Sequence, residues 1–122
     1  MFEITVEETF AAGHALRNYR GKCVNVHGHN YRVQVTLAGA ELDAIGLLVD
    51  FVEVKKTLHA VVDRMDHQFL NDLPPFDVLN PSAENMAKYI CDEMEKGFRQ
   101  GLVRVTAVKL WETDTASATY RP

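Results

Sequence analysis

The sequence has little of what marks membrane, secreted or nucleic-acid-binding chains. No stretch approaches the roughly 18 consecutive apolar residues of a membrane-spanning helix. The opening MFEITVEETF lacks a basic segment followed by an apolar run, so no secretory leader is expected. Only two cysteines, Cys23 and Cys91, are present. They could form one disulfide, but without a leader two free thiols in a reducing, cytoplasmic setting are expected. Basic residues are not in excess: 13 Lys+Arg against 17 Asp+Glu leave a net charge of −4. That balance argues against nucleic acid or an anionic membrane as partner. It leaves room for a local basic pocket that takes a phosphorylated small molecule. Linkers, repeats and low-complexity segments are also missing. What is present is ordinary: 122 residues, 47% hydrophobic and 25% charged, as expected of one soluble domain spanning 1–122 with a core of its own.

The pattern along the chain is strand, strand, helix, helix, strand, strand. Residues 2–10 alternate Phe2, Ile4, Val6 against Glu3, Thr5, Glu7, the period of a strand. Residues 11–25 have no period and contain Gly13, Asn18, Gly21 and Asn25, which predicts a long loop. Loops of that length are more often functional than incidental. A valine-rich strand follows over 26–38. Asp50 is placed to cap a helix whose apolar residues are Phe51, Val54, Leu58, Val61, Val62 and Met65. A second helix is expected over 81–100, with Asn80 as N-cap, Pro81 at the first helical position and Gly101 just past its end. Residues 103–111 and 116–120 return to strand character. Hairpins with the helices grouped between them indicate an α+β fold, helices on one face of an antiparallel sheet. Its two open edges favour a closed oligomer.

Three of the five histidines fall near one strand end. His27 and His29 are two apart, so on a strand their imidazoles project to the same face. Gly28 between them faces away and leaves space for another group. His14, in the preceding loop, can supply a third imidazole. Three histidines without a fourth protein ligand is the pattern of catalytic zinc, with one position left for water or substrate. The bland alternative is a polar strand face. Cys23, four residues before His27, would have its thiol acidified by a nearby cation and become a base or nucleophile. Cys91 lies on the apolar stripe of the second helix and should be inert. Asp66-His67 at the exit of the first helix could be an oriented acid–base pair, or a histidine complementing the helix dipole. His59 has no such company in the sequence and reads as a surface or packing residue. Glu112, just past the third strand, could accept two parallel N–H bonds from an amidine-like edge, or be a solvated charge.

Taken in order, several short motifs resemble the 6-pyruvoyltetrahydropterin synthase superfamily, and within it most the bacterial 6-carboxy-5,6,7,8-tetrahydropterin synthase branch of queuosine biosynthesis. They are Ala12-Gly13-His14, the run from Cys23 to His27-Gly28-His29, Gly46 through Asp50-Phe51, Met65-Asp66-His67 with Leu70-Asn71, Asn80-Pro81-Ser82-Ala83-Glu84-Asn85, and Glu112-Thr113. The three residues between Cys23 and His27 are similar to the carboxy branch, since the pyruvoyl branch has a longer interval. Met65 departs from the family's leucine and should affect only packing. The resemblance implies the tunnelling fold, with ββααββ subunits joined edge to edge in a homo-oligomeric barrel, usually a hexamer. It implies zinc on His14, His27 and His29, catalysis by Cys23, Asp66 and His67, and a pterin anchored by Glu112. The implied reaction is zinc-dependent conversion of 7,8-dihydroneopterin triphosphate to 6-carboxy-5,6,7,8-tetrahydropterin, releasing acetaldehyde and triphosphate. The alternatives are elimination of triphosphate without carbon–carbon cleavage, giving 6-pyruvoyltetrahydropterin, and a non-catalytic zinc- or pterin-binding module on the same fold.

Overall fold

The computed structural model describes residues 1–98 and 101–122. Its elements follow the expected order: β1 (Phe2–His14), β2 (His27–Gly39), α1 (Phe51–Asp63), α2 (Ala83–Phe98), β3 (Arg104–Thr113) and β4 (Ala116–Tyr120), with single 3-10 turns at Lys22–Val24 and Leu70–Asp72. The strands form one antiparallel sheet in the order β1-β2-β3-β4. Alternation decides which face is covered. Val6, Phe10 and Ala12 of β1, Tyr31, Val33, Val35 and Leu37 of β2, and Val108 and Leu110 of β3 are buried. Both helices pack on that face: α1 supplies Val54, Leu58, Val61 and Val62, and α2 supplies Met86, Ala87, Ile90, Cys91 and Met94. Each fully buried aliphatic side chain contributes about 1.5–3 kcal/mol. The sheet–helix layer is therefore the main source of stability. Among the described residues no helix is long and apolar enough to cross a membrane.

Asp50 caps α1 as expected, its Oδ1 accepting from the Val52 amide at 2.9 Å. Phe51 does not join the apolar stripe; it sits half exposed at the first helical position.

Other boundaries move, each for a physical reason. β1 continues to His14 instead of ending at residue 10, because β2 pairs with it in unbroken register from Phe2–Gly39 to His14–His27. Cross-strand pairing overrides the weak local preference of Ala11 to Gly13. The predicted long loop shrinks to 15–26. α2 begins at Ala83, two residues later than expected, and its cap is Ser82 and not Asn80. Ser82 Oγ accepts from the Asn85 amide at 3.2 Å, and its carbonyl accepts from Met86 at 2.9 Å. α2 is described as far as Phe98, whose carbonyl accepts the Gly101 amide. Arg99 and Gln100, assigned to this helix from the sequence, lie outside the described residues. β3 extends to Thr113 and so contains Glu112.

One sheet edge is partly covered. The His67 amide donates to Ala11 O at 2.6 Å, the Gly13 amide donates to Gln68 O at 3.0 Å, and Gly13 bridges to Phe69. The segment after α1 thus lies along the last turn of β1, beside the histidines.

Candidate metal centre and active site

Register places the three histidines. His14 pairs with His27, and Ala12 pairs with His29. Cross-strand partners share a face, so all three imidazoles continue the buried stripe of Phe10, Ala12, Tyr31 and Val33 to the end of the sheet. His14 is fully buried, the one polar residue among the described residues that is. One ring nitrogen from each of His14, His27 and His29 lies within 4.8 Å of the others.

The outer ring nitrogens fix the tautomers. His14 Nδ1 lies 2.7 Å from the Pro81 carbonyl, and His27 Nδ1 lies 2.7 Å from the Asn25 carbonyl. A carbonyl only accepts, so in the neutral ring each Nδ1 carries the proton and each Nε2 presents a lone pair. Yet the two Nε2 atoms face each other at 2.9 Å. His29 Nε2 is buried with no hydrogen-bond partner at all. A proton or a metal ion is what reconciles such an arrangement. Burial pushes the imidazole pKa of His14 and His29 down, although the Pro81 carbonyl and Glu112 for His14, and Glu112 for His29, pull the other way. Neutral imidazole is the metal-binding form. Backbone carbonyls on the far ring nitrogens are the usual support for metal-ligating histidines. The donor set fits a metal ion.

The support extends outward. Asn80 Oδ1 accepts from the Arg17 amide at 2.8 Å and its Nδ2 donates to Arg17 O at 2.9 Å. Asn71 makes the same two-point contact with Ala15 at 2.9 and 2.8 Å. Two side-chain amides therefore replace a strand partner for Ala15 and Arg17. The Arg17 guanidinium donates to Leu79 O, Asn71 O and Phe76 O at 3.2, 3.4 and 2.7 Å. These contacts hold residues 71–81, and with them the Pro81 carbonyl, against His14. In the sequence, Asn80 reads only as a helix cap and Asn71 only as part of a short motif. Their true partners are more than fifty positions away, and no local pattern could have shown them.

Glu112 is in phase with Val108 and Leu110, so it points to the covered face. A β-bulge between Trp111 and Thr113 follows the strand's last regular pair. Its Oε1 lies 3.2 Å from His14 Nε2 and 3.3 Å from His29 Nε2. It also lines a cavity of about 440 Å³ with Ala83, Glu84, Ser117 and Thr119. This is not a solvated strand-end charge. Tyr31, beneath the histidines, has its hydroxyl 3.2 Å from His14 Nδ1, and burial, with the Glu112 charge adding, pushes its pKa well above the usual phenol range.

Asp66 and His67 do form a pair. His67 adopts φ 58°, a left-handed conformation that costs a non-glycine residue about 1–2 kcal/mol. That turn brings His67 Nδ1 to 3.0 Å from Asp66 Oδ1 and leaves the ring exposed. The Ala11 amide also donates to Asp66 Oδ1 at 3.0 Å. That bond first, and His67 second, hold the Asp66 carboxyl below its usual range. The pair stands beside a cavity of about 390 Å³ that includes Gly13, Gly28, Asn30 and Gln68. Nothing in the chain crowds Gly28: a Cβ there would meet only Ala12 O, at 3.6 Å. Cys23 is half-buried in the turn between β1 and β2, its carbonyl accepting from the Leu16 amide at 2.8 Å. Within one chain, then, His14, His27 and His29 converge, with Glu112 against His14 and His29, whereas Cys23 and the Asp66–His67 pair stand outside the cluster.

The remaining sulfur and imidazole groups behave differently. Cys91 is fully buried and its thiol pKa is pushed up to about 11 by burial. His59 is not without company: its Nδ1 lies 2.7 Å from Glu8 Oε1. A larger cavity, about 650 Å³ between Glu41, Leu48, Lys56 and Leu102, lies at the opposite end of the sheet.

Comparison with known proteins gives the family. Residues 3–122 match the family model described as 6-pyruvoyl tetrahydropterin synthase. The 6-carboxy-5,6,7,8-tetrahydropterin synthase of Bacillus subtilis is 36% identical over 128 residues, covering 99% of this chain and 86% of that protein. The 6-pyruvoyl tetrahydrobiopterin synthase of Dictyostelium discoideum is 32% identical, covering 97% and 94%. The solved structure of Caenorhabditis elegans 6-pyruvoyl tetrahydropterin synthase superposes with a TM-score of 0.84 at 29% identity, covering 100% of this chain and 97% of that one. Its four-stranded sheet, its two helices and these matches place the chain in the 6-pyruvoyl tetrahydropterin synthase family.

Proposed function

We propose that the protein is a zinc-dependent 6-carboxy-5,6,7,8-tetrahydropterin synthase of queuosine biosynthesis. It would convert 7,8-dihydroneopterin triphosphate and water to the carboxypterin, acetaldehyde and triphosphate. The observation that carries the reading is the cluster of His14, His27 and His29: the Nε2 atoms of His14 and His27 carry no proton in the neutral tautomers, and His29 Nε2 is buried without a hydrogen-bond partner. Zinc held there would act as a Lewis acid towards the substrate's side-chain hydroxyls.

The chain's own residues would do the rest. Glu112, in its cavity beside Ala83 and Ser117, would accept the parallel N–H donors of the pterin's amino–N3 edge. Cys23, in the turn that ends at His27, would move a proton at the junction of ring and side chain. His67, its Nδ1 held by Asp66, would present Nε2 to give or take the partner proton. The three-residue interval from Cys23 to His27 favours the carboxy product. The edge of β4 and the part of the β1 edge left uncovered before Ala11 favour a ring-shaped homo-oligomer, most simply a hexamer. Light scattering should give a multiple of 13.8 kDa; a fully active monomer would exclude the ring.

Relatives bear both names, so 6-pyruvoyltetrahydropterin synthase is the second reading. Product analysis separates them. Zinc-loaded protein given 7,8-dihydroneopterin triphosphate should release acetaldehyde in step with triphosphate. Triphosphate without acetaldehyde would establish the pyruvoyl reaction instead.

A further inference from the structure

The site differs in one respect from the open three-histidine centre expected from the sequence. A carboxylate oxygen already stands beside two of its three imidazoles. Around a tetrahedral zinc with bonds of about 2.0–2.1 Å, neighbouring donor atoms lie about 3.3 Å apart. Glu112 Oε1 stands 3.2 Å from His14 Nε2 and 3.3 Å from His29 Nε2, which are such separations.

Hydrogen bonding does not account for them. The His14 ring carries its proton on Nδ1, towards Pro81, so its Nε2 has nothing to donate to Glu112. His29 Nε2 has no hydrogen-bond partner, Glu112 included. With neutral imidazoles, the His14 Nε2 lone pair therefore faces His27 Nε2 on one side and Glu112 Oε1 on the other with no proton between them, an arrangement that a bound metal ion stabilises. Strand phase keeps Glu112 there: Val108, Leu110 and Glu112 point one way, and the bulge after Trp111 lets the strand turn without withdrawing the side chain. The same side chain lines the roughly 440 Å³ cavity proposed above for the pterin. It cannot accept two N–H bonds from a ring in that cavity and also fill the fourth corner.

We propose that Glu112 closes the metal centre as its fourth ligand at rest and leaves it when a pterin takes the carboxylate. The second half rests on the pterin reading of Glu112; the first does not. Such a device would keep the cation from binding stray ligands until substrate is seated.

Cobalt(II) in place of zinc makes the corner visible, because its d–d absorption reports each new ligand. Azide and uncharged imidazole are titrated into cobalt-loaded wild type, Glu112→Ala and Glu112→Gln, with retained circular dichroism as the check on folding. The wild type should resist both ligands, and both variants should bind them at least about tenfold more tightly. Wild type that binds azide and imidazole as well as the variants overturns the proposal. Wild type that excludes azide but admits imidazole also overturns it, since that is repulsion by a nearby charge and not ligation. The same titration is repeated with saturating 6-methylpterin, which has no side-chain hydroxyls to coordinate. Azide should then bind the wild type. A centre that stays closed although calorimetry shows the pterin bound overturns the gate. Failure of 6-methylpterin to bind wild type overturns the pterin reading itself and leaves Glu112 a plain fourth ligand.

Discussion

Replacing Asn80 with alanine should loosen the metal centre from a distance. The substitution removes one acceptor and one donor, leaving the Arg17 amide and carbonyl without the partners they hold at 2.8 and 2.9 Å. Each hydrogen bond contributes about 0.5–1.5 kcal/mol net, so the loss spans about 1–3 kcal/mol. The half-exposed position lets water replace part of it. The Arg17 guanidinium also keeps its bonds to Leu79, Asn71 and Phe76. A fall of about 1–2 kcal/mol in the metal-free protein is expected, read from the urea midpoint at unchanged slope. Asn80 is followed directly by Pro81, whose carbonyl sets the proton on His14. Supporting contacts of this kind are worth about 10–100-fold in metal affinity. Zinc competition against a chromophoric chelator should therefore show about that loss in Asn80→Ala. A stability loss with unchanged zinc affinity would mean that Pro81 is held independently of Asn80. No change in either would refute the network altogether.

The two thiols should separate cleanly. Cys91, buried and with its pKa pushed up to about 11, should resist iodoacetamide at pH 8 while Cys23 reacts, and Cys91→Ala should cost roughly 1 kcal/mol of stability with little change in rate. Equal alkylation of both would contradict the burial of Cys91. His59 should titrate above its ordinary value of about 6.5 because of its hydrogen bond to Glu8. Its pKa is raised on folding, so the contribution to stability is complete below the unfolded-state pKa and disappears as pH rises through the folded one. Glu8→Gln should lower the midpoint of the His59 proton resonance, leaving only the smaller upward pull of Asp63 and Asp66, and an unmoved midpoint would show that Glu8 is not the cause.

The elements were largely legible from periodicity, and the site only where it follows periodicity. His27 and His29 sharing a face follows from a two-residue period, and the Asp50 cap follows from residue type. Glu112 was legible too, in phase with Val108 and Leu110, had the strand been drawn past Trp111. His14 was harder. Ala11 to Gly13 show no strand preference, and only pairing with Gly28 to Asn30 carries the strand on. The Asp66–His67 contact defeats a local rule, because adjacent residues seldom face each other unless the backbone turns left-handed, as it does at His67. Asn71 and Asn80 were illegible, since carboxamides that copy a strand's hydrogen bonds leave no trace in local spacing.

The central claim is a metal held by three imidazoles at the end of the sheet, with Cys23 outside the coordination sphere. X-ray absorption at the zinc edge measures this directly on the loaded protein. It should show one zinc with nitrogen and oxygen neighbours at about 2.0–2.1 Å, three of them imidazoles, and no sulfur shell. The His27→Ala and His29→Ala variants should stay folded and lose the metal. A sulfur neighbour at about 2.3 Å, or full zinc retention in both variants, would contradict the assignment of His14, His27 and His29 as the metal centre.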